Sequence, residues 1–227
     1  MLDIVLFAVF PYVAVILAVV MGLYRYFTNR FSLSSLSSQF LENRCLFWGS
    51  VPWHYAILLV LLAHLLVGLF GGLWLWVVGT PGRLYLLEVV GLSLGLTTVV
   101  TATLFIARRL VQARLRQVTS VMDWVLLGDL LLQVALGAYV ALVYRWGSVW
   151  YLDTAVPWLS SLVRLDPQVQ YISVLPWVAK LHFFNAFVLV GLIPFTRLIH
   201  MVTLPVSYLW RPRQVVIWNR AVSRRRA

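Results

Sequence analysis

The chain has 227 residues, of which 62% are apolar and only 11% charged, with a formal net charge of +11. A water-soluble domain averages about 45–50% apolar and about 25% charged residues. An ordinary soluble globule is therefore excluded, and long charge-free windows point instead to membrane spans of about 20 residues each.

Five spans are predicted, at about 4–23, 51–78, 84–107, 122–143 and 174–202, in an all-α, integral membrane five-helix bundle that forms a single domain over residues 1–227. The first span opens on Asp3 rather than a basic residue and is long enough to cross, so it reads as a retained helix and not a cleaved signal peptide. The loop after it holds Arg25, Arg30 and Arg44, and next to this loop sits the single cysteine, Cys45. One thiol makes no internal disulfide and supplies no iron–sulfur cluster, and a covalent c-type haem is excluded because no Cys-x-x-Cys-His occurs.

The second span opens on HYAILLVLLAH, with His54 and His64 at the two ends of an uncharged run. The turn after it, GTPGRLYLLEVV at 79–90, offers Arg83, Tyr85 and Glu88 as its polar groups. In the third span, Gly91 and Gly95 have the spacing of a close helix contact. Arg108, Arg109, Arg114 and Arg116 follow it. Beyond the fourth span, AVPWLSSLVRL at 155–165 is amphipathic and suits either the membrane surface or a roof over the bundle. The fifth span carries His182, Pro194, Arg197 and His200, and a basic tail over about 203–227 carries Trp210 and Trp218. Docking onto a cytoplasmic partner and attraction to anionic lipid are both open for this tail. Trp48, Trp53, Trp74, Trp76, Trp150 and Trp158 lie near span ends, where an interfacial aromatic belt is expected.

If the five spans alternate, the first and third loops, Arg197 and the six tail arginines (Arg211, Arg213, Arg220, Arg224, Arg225 and Arg226) all fall on one side. The other side receives only Arg83, Arg145, Arg164 and Lys180. The positive-inside rule then places the N-terminus outside and the C-terminus in the cytoplasm. Charge sorted in this way explains the basic balance, and no nucleic-acid partner is expected.

The chain has four histidines, two per span in the second and fifth. Ionisable groups at membrane depth are costly and mark functional sites by default. Three crossings separate the two spans, so they run antiparallel. His54 then faces His200 near the cytoplasm, and His64 faces His182 nearer the outside. Spacings of ten and eighteen residues rise about 15 Å and about 27 Å, and an eighteen-residue spacing returns to the same helix face. Their mean, about 21 Å, suits two stacked sites in a core roughly 30 Å thick. Pro194 is either a kink that absorbs the unequal spacings or a tolerated membrane proline.

Zinc gathers four ligands at one point, which two separated pairs do not offer. Two axial imidazoles per haem use all four histidines and leave no open iron position, which favours electron transfer. Haem propionates attract guanidinium groups. Arg197, three residues before His200, and Arg108 and Arg109 are the candidates, with simple marking of topology as the alternative. Arg83 is either a charged donor to a small ligand or an interfacial snorkel, and Glu88 either a proton acceptor or a packing residue.

Further pieces occur in a set order: Phe-Pro-Tyr at 10–12, Arg25-Tyr26, SSQFL at 37–41 and ARRL at 107–110. Arg114, Arg116, Thr119, Asp123, Gln133 and Leu136-Gly137 follow, then PFTRLIH at 194–200 and PVSYL at 205–209. Together with the histidine spacings, this series resembles the gamma subunit of respiratory nitrate reductase, a dihaem cytochrome b. The resemblance implies two haem b groups, a distal one held by His64 and His182 and a proximal one held by His54 and His200. It also implies quinol oxidation beside the distal haem, with protons released outside. Its partners would be an iron–sulfur beta subunit, a molybdenum-containing alpha subunit that reduces nitrate, and membrane lipid. Members place a lysine in the short loop after the second span, and residues 79–90 here have none, which leaves Arg83 and Glu88 as the expected quinol-site groups. Two other readings stay open: a dihaem cytochrome b of a heterodisulfide-reductase-like complex, and a haem-free transport or structural protein whose histidines only hydrogen-bond.

Overall fold

The computed structural model describes residues 1–29, 33 and 44–202. Arg30, SSQFL at 37–41, PVSYL at 205–209 and the whole tail from residue 203, with its tryptophans and arginines, lie outside the described residues. Five stretches are long and apolar enough to cross a membrane: Leu2–Thr28, Cys45–Leu69, Pro81–Val111, Val121–Val143 and Trp177–Phe195. Among the described residues there is no strand. Backbone polar groups in hydrocarbon must be satisfied within the segment, and the helix does this without a partner.

In chain order the helices are α1 (Leu2–Thr28, with a π-helical turn at Val5–Val9), α2 (Arg44–Leu69), α3 (Gly71–Val78) and α4 (Pro81–Val111). Then come α5 (Ala113–Gln117), α6 (Val121–Val143), α7 (Gly147–Asp153), α8 (Ala155–Val163), α9 (Gln170–Ser173) and α10 (Trp177–Leu192). Short 3-10 turns at Ile193–Phe195 and Arg197–Met201 follow α10. Packing runs in a series: α2 on α4, α4 on α6, α6 on α10 and α10 on α1. The two histidine-bearing helices, α2 and α10, are not among the extensively packed pairs.

Small residues allow these contacts. A side chain on Gly95 of α4 would stand 3.8 Å from Ala138 of α6, so this glycine does mark a close helix approach, whereas Gly91 faces nothing within 4 Å. Thr98 and Thr101 are buried nearby, and their hydroxyls donate to carbonyls of their own helix, which lets polar residues sit in an apolar interface. Leu58, Leu62 and Val100 are exposed on the flanks of their helices, as a lipid-facing surface requires.

Two expected spans are corrected. The second does not run unbroken to residue 78: α2 ends at Leu69, and α3 restarts after Phe70, whose backbone leaves the helical region. Gly71-Gly72, the residue pair with the weakest hold on helical geometry, follows at once. The fifth span is not helical through 202. Its α-helix ends at Leu192, just before Pro194, which has no N–H for the ladder. His182 and His200 therefore do not share one face of a continuous helix.

The amphipathic segment after the fourth span forms α8, and its apolar face packs onto the bundle. Trp158 is fully buried with Phe7 of α1, Leu162 and Ile172. Its indole donates to the Phe7 carbonyl at 2.9 Å, inside the π-helical turn. Trp53 is buried as well, so these two tryptophans belong to the interior, while Trp48 and Trp76 are exposed as belt residues would be.

Candidate functional site

The structure groups the histidines as two pairs. His54 of α2 and His200 of the last 3-10 turn line one cleft, together with Trp53, Arg108, Arg109 and Arg197. At the other level lie His64 and His182, bridged by two aromatic side chains. The Tyr151 ring meets His64 edge-on at 5.7 Å, and Phe183 lies against both Tyr151 (6.1 Å) and His182 (5.9 Å). Burial pushes the Tyr151 phenol up to about 12, so it stays neutral beside the outer pair at physiological pH.

All four imidazoles are oriented alike. His54 Nδ1 meets the Ser50 carbonyl at 2.7 Å and His64 Nδ1 the Val60 carbonyl at 2.7 Å. His182 Nδ1 meets the Gln133 carbonyl at 3.2 Å, and His200 Nδ1 the Arg197 carbonyl at 2.5 Å. A carbonyl only accepts, so each Nδ1 carries a proton, and Nε2 is the nitrogen a metal would take. This is how proteins prepare histidine to bind a metal, with the second nitrogen fixing ring and tautomer.

Space is provided with equal care at the outer pair. A side chain on Gly137 of α6 would come within 2.9 Å of His182 Cε1, so this position must be glycine for the ring to lie where it does. Asn185, one helical turn after His182, is buried and donates to the Gln133 side-chain oxygen (3.0 Å) and the Asp129 carbonyl (3.3 Å). It ties α10 to the residue whose carbonyl orients His182.

Among the described residues, no three of His, Cys, Asp or Glu converge as a zinc-type site needs. Imidazoles grouped two by two, each fixed through Nδ1, would suit a haem. The inner cleft also fits the propionates of such a group. Arg108, Arg109 and Arg197 stand there against the single carboxylate of Asp123, a net charge of two positive.

Arg197 also meets a carboxylate. Its guanidinium grips Asp123 of α6, Nε to Oδ1 at 2.5 Å and Nη2 to Oδ2 at 2.9 Å. Arg108 is buried in the cleft wall, and Arg109 lines the same cleft. At the opposite end, Arg83 is exposed, donates to Thr80 Oγ1 at 2.9 Å and lies over the Trp76 ring at 5.1 Å. Glu88 accepts from the Trp146 and Ser148 main-chain N–H groups (3.2 and 3.0 Å) and from the Ser148 hydroxyl (2.5 Å). It thereby fastens α4 to the turn between α6 and α7, where Trp146 adopts a left-handed φ of 66°.

Asn185 and Tyr151 carry no role in the sequence reading. An amide three residues from a histidine in an apolar span is a signal for the first. Nothing in a linear pattern announces the second, because Tyr151 reaches His64 across 87 positions.

A family model described as nitrate reductase gamma subunit matches residues 3–219. The nitrate reductase-like protein NarX of Mycobacterium tuberculosis is 30% identical over 90% of this chain and 32% of its own length. The chain thus spans about a third of that relative. The nitrate reductase gamma chain of Bacillus subtilis is 28% identical, over 91% of this chain and 94% of its own. The respiratory nitrate reductase 1 gamma chain of Escherichia coli is 26% identical, over 95% of this chain and 97% of its own. With nearly the whole sequence matched, the chain belongs to the nitrate reductase gamma subunit family.

Proposed function

We propose that this chain is the dihaem cytochrome b subunit of a respiratory nitrate reductase in the cell membrane, with its N-terminus outside and its tail in the cytoplasm. It would oxidise quinol near the outer face and serve an iron–sulfur beta subunit and a molybdenum-containing alpha subunit on the cytoplasmic side. The observation that carries this reading is the shared orientation of the four imidazoles, each with Nδ1 on a main-chain carbonyl and grouped two by two. Bound there, the haems would supply one-electron relays between the quinol and the iron–sulfur partner.

The residues divide the remaining work. His54 and His200 would hold the inner haem, and His64 and His182 the outer one. Arg108 and Arg109 would neutralise propionates in the inner cleft. Quinol oxidation releases two electrons and two protons, so the outer site needs a donor to the quinol oxygen and a route for protons. Arg83, an exposed cation in the first turn of α4, would serve the first task. Glu88 would accept a proton on Oε2, which takes only the Trp146 N–H bond and has a lone pair to spare.

The test is a reduced-minus-oxidised spectrum with haem quantification on the complex purified from its membrane. Two b-type components are expected. His54→Ala and His200→Ala should each remove one component, and His64→Ala and His182→Ala the other. A complex without haem, or selective loss of the same component in His54→Ala and His64→Ala, overturns the proposal.

A further inference from the structure

His200 is the one histidine of the four that does not sit on an α-helix. The α-helix ends at Leu192, and His200 lies in the 3-10 turn Arg197–Met201. A short turn of this kind lacks the ladder that keeps a side chain in register, so its place depends on ties to neighbouring elements. Two such ties are visible. Arg25 of α1 donates to the carbonyl of Pro194. Arg197 forms the two-pronged pair with Asp123 of α6.

Asp123 is itself firmly held. It is 5% exposed, and its carboxylate accepts from the Ser120 N–H at 3.0 Å. Its own N–H donates to the Ser120 hydroxyl at 3.2 Å, closing a capping box at the start of α6. On the far side of Arg197, its main-chain carbonyl accepts from His200 Nδ1 at 2.5 Å. An unbroken chain of contacts thus runs Ser120, Asp123, Arg197, His200. Its anchor is a helix N-terminus packed into the bundle.

We propose that Asp123 is a positioning residue for the inner haem: by clamping Arg197 it sets the carbonyl that orients the His200 imidazole. The inference rests on the dihaem reading. Asp123 touches neither the iron nor His200, and it acts through Arg197. A bidentate guanidinium–carboxylate pair fixes angle as well as distance, which an axial ligand on a short turn requires. Metal-ligating histidines depend on outer partners of this kind for orientation and basicity. Neutralising Asp123 removes a negative charge from beside the ligand, frees the positive charge of Arg197 and slackens the bond that polarises the imidazole. All three changes favour the reduced state, so the inner potential should rise.

The experiment is a spectropotentiometric titration of the purified native complex, followed by electron paramagnetic resonance of both haem components. The inner component is the one lost in His200→Ala. Asp123→Asn should keep two haems per complex and shift the inner component by about tenfold in its oxidised-to-reduced ratio, about 59 mV for one electron. The outer component should stay put. Asp123→Glu should restore part of the inner potential. Ser120→Ala keeps the main-chain N–H that the Asp123 carboxylate accepts from, so it should lower the unfolding temperature and move the inner potential less than Asp123→Asn does. If Asp123→Asn does not accumulate, Arg197→Gln breaks the same pair from the other side and is read identically. An unmoved inner potential, or equal movement of both components, overturns the proposal and leaves the dihaem reading standing. A wild-type complex without haem overturns both.

Discussion

Gly137 and His182 show how tightly the outer site is drawn. The imidazole has its Nδ1 on the Gln133 carbonyl of α6 and its Cε1 over Gly137, one helical turn further along the same helix. A methyl group on Gly137 would sit 2.9 Å from that carbon, well inside ordinary contact, and the ring cannot yield without leaving its carbonyl. Gly137→Ala should therefore reduce occupancy of the outer haem several-fold and spare the inner one, as read by haem counting. Equal occupancy of both in this variant would show that the ring has room to shift. The glycine is needed for space and not for backbone freedom, since no glycine among the described residues has a positive φ.

The end of α10 matters at the next scale. An eighteen-residue spacing reads as five complete turns of helix, yet Pro194 falls inside it, and the α-helix stops two residues earlier. The chain then passes through an extended residue, Thr196, whose hydroxyl caps the turn that carries His200 by accepting from the Leu198 N–H at 3.3 Å. Arg25 takes up the Pro194 carbonyl, so the break is fastened from α1. Pro194→Ala restores an N–H and permits the helix to continue, at the expense of both ties on the segment. Inner-haem occupancy should fall several-fold, with the outer haem retained and α10 still docked on α6 through Asn185. Full occupancy in this variant would mean that the clamp on Arg197, and not the proline, decides where the turn lies.

At the scale of the whole molecule, charge and packing work on different axes. The basic residues sort along the membrane normal, so reporter fusions supply the check. A periplasm-active phosphatase should work when joined after residue 165 and fail when joined after residue 117, with a cytoplasmic fluorescent reporter giving the reverse pattern. The opposite result would invert the proposed topology and move the quinol site to the other face. Within the plane, helices pack in the series α2, α4, α6, α10, α1, which puts the histidine-bearing α2 and α10 on either side of the α4–α6 pair. At the end of the bundle that holds the start of α1, α8 and α9 close over it through Trp158, Ile172 and Phe7.

Several features were legible in the linear chain because they depend on solvent rather than on partners. Burying helices in hydrocarbon requires long apolar runs, and all five were visible as such. Histidine stands out in those runs because an ionisable group there is costly, and the grouping of His54 with His200 and of His64 with His182 follows from antiparallel crossings alone. The pattern of other residues already resembled the family that the whole-chain match establishes. What only the tertiary structure decided was which polar groups meet. Arg197 had the spacing of a ligand partner, but a carboxylate 74 positions away claims it. Glu88 had the chemistry of a proton acceptor, but a turn 60 positions away holds it. Hydropathy is a property of each segment taken singly, whereas a hydrogen bond needs two groups brought to within about 3 Å. That proximity is settled by how the helices pack, and no single segment encodes it.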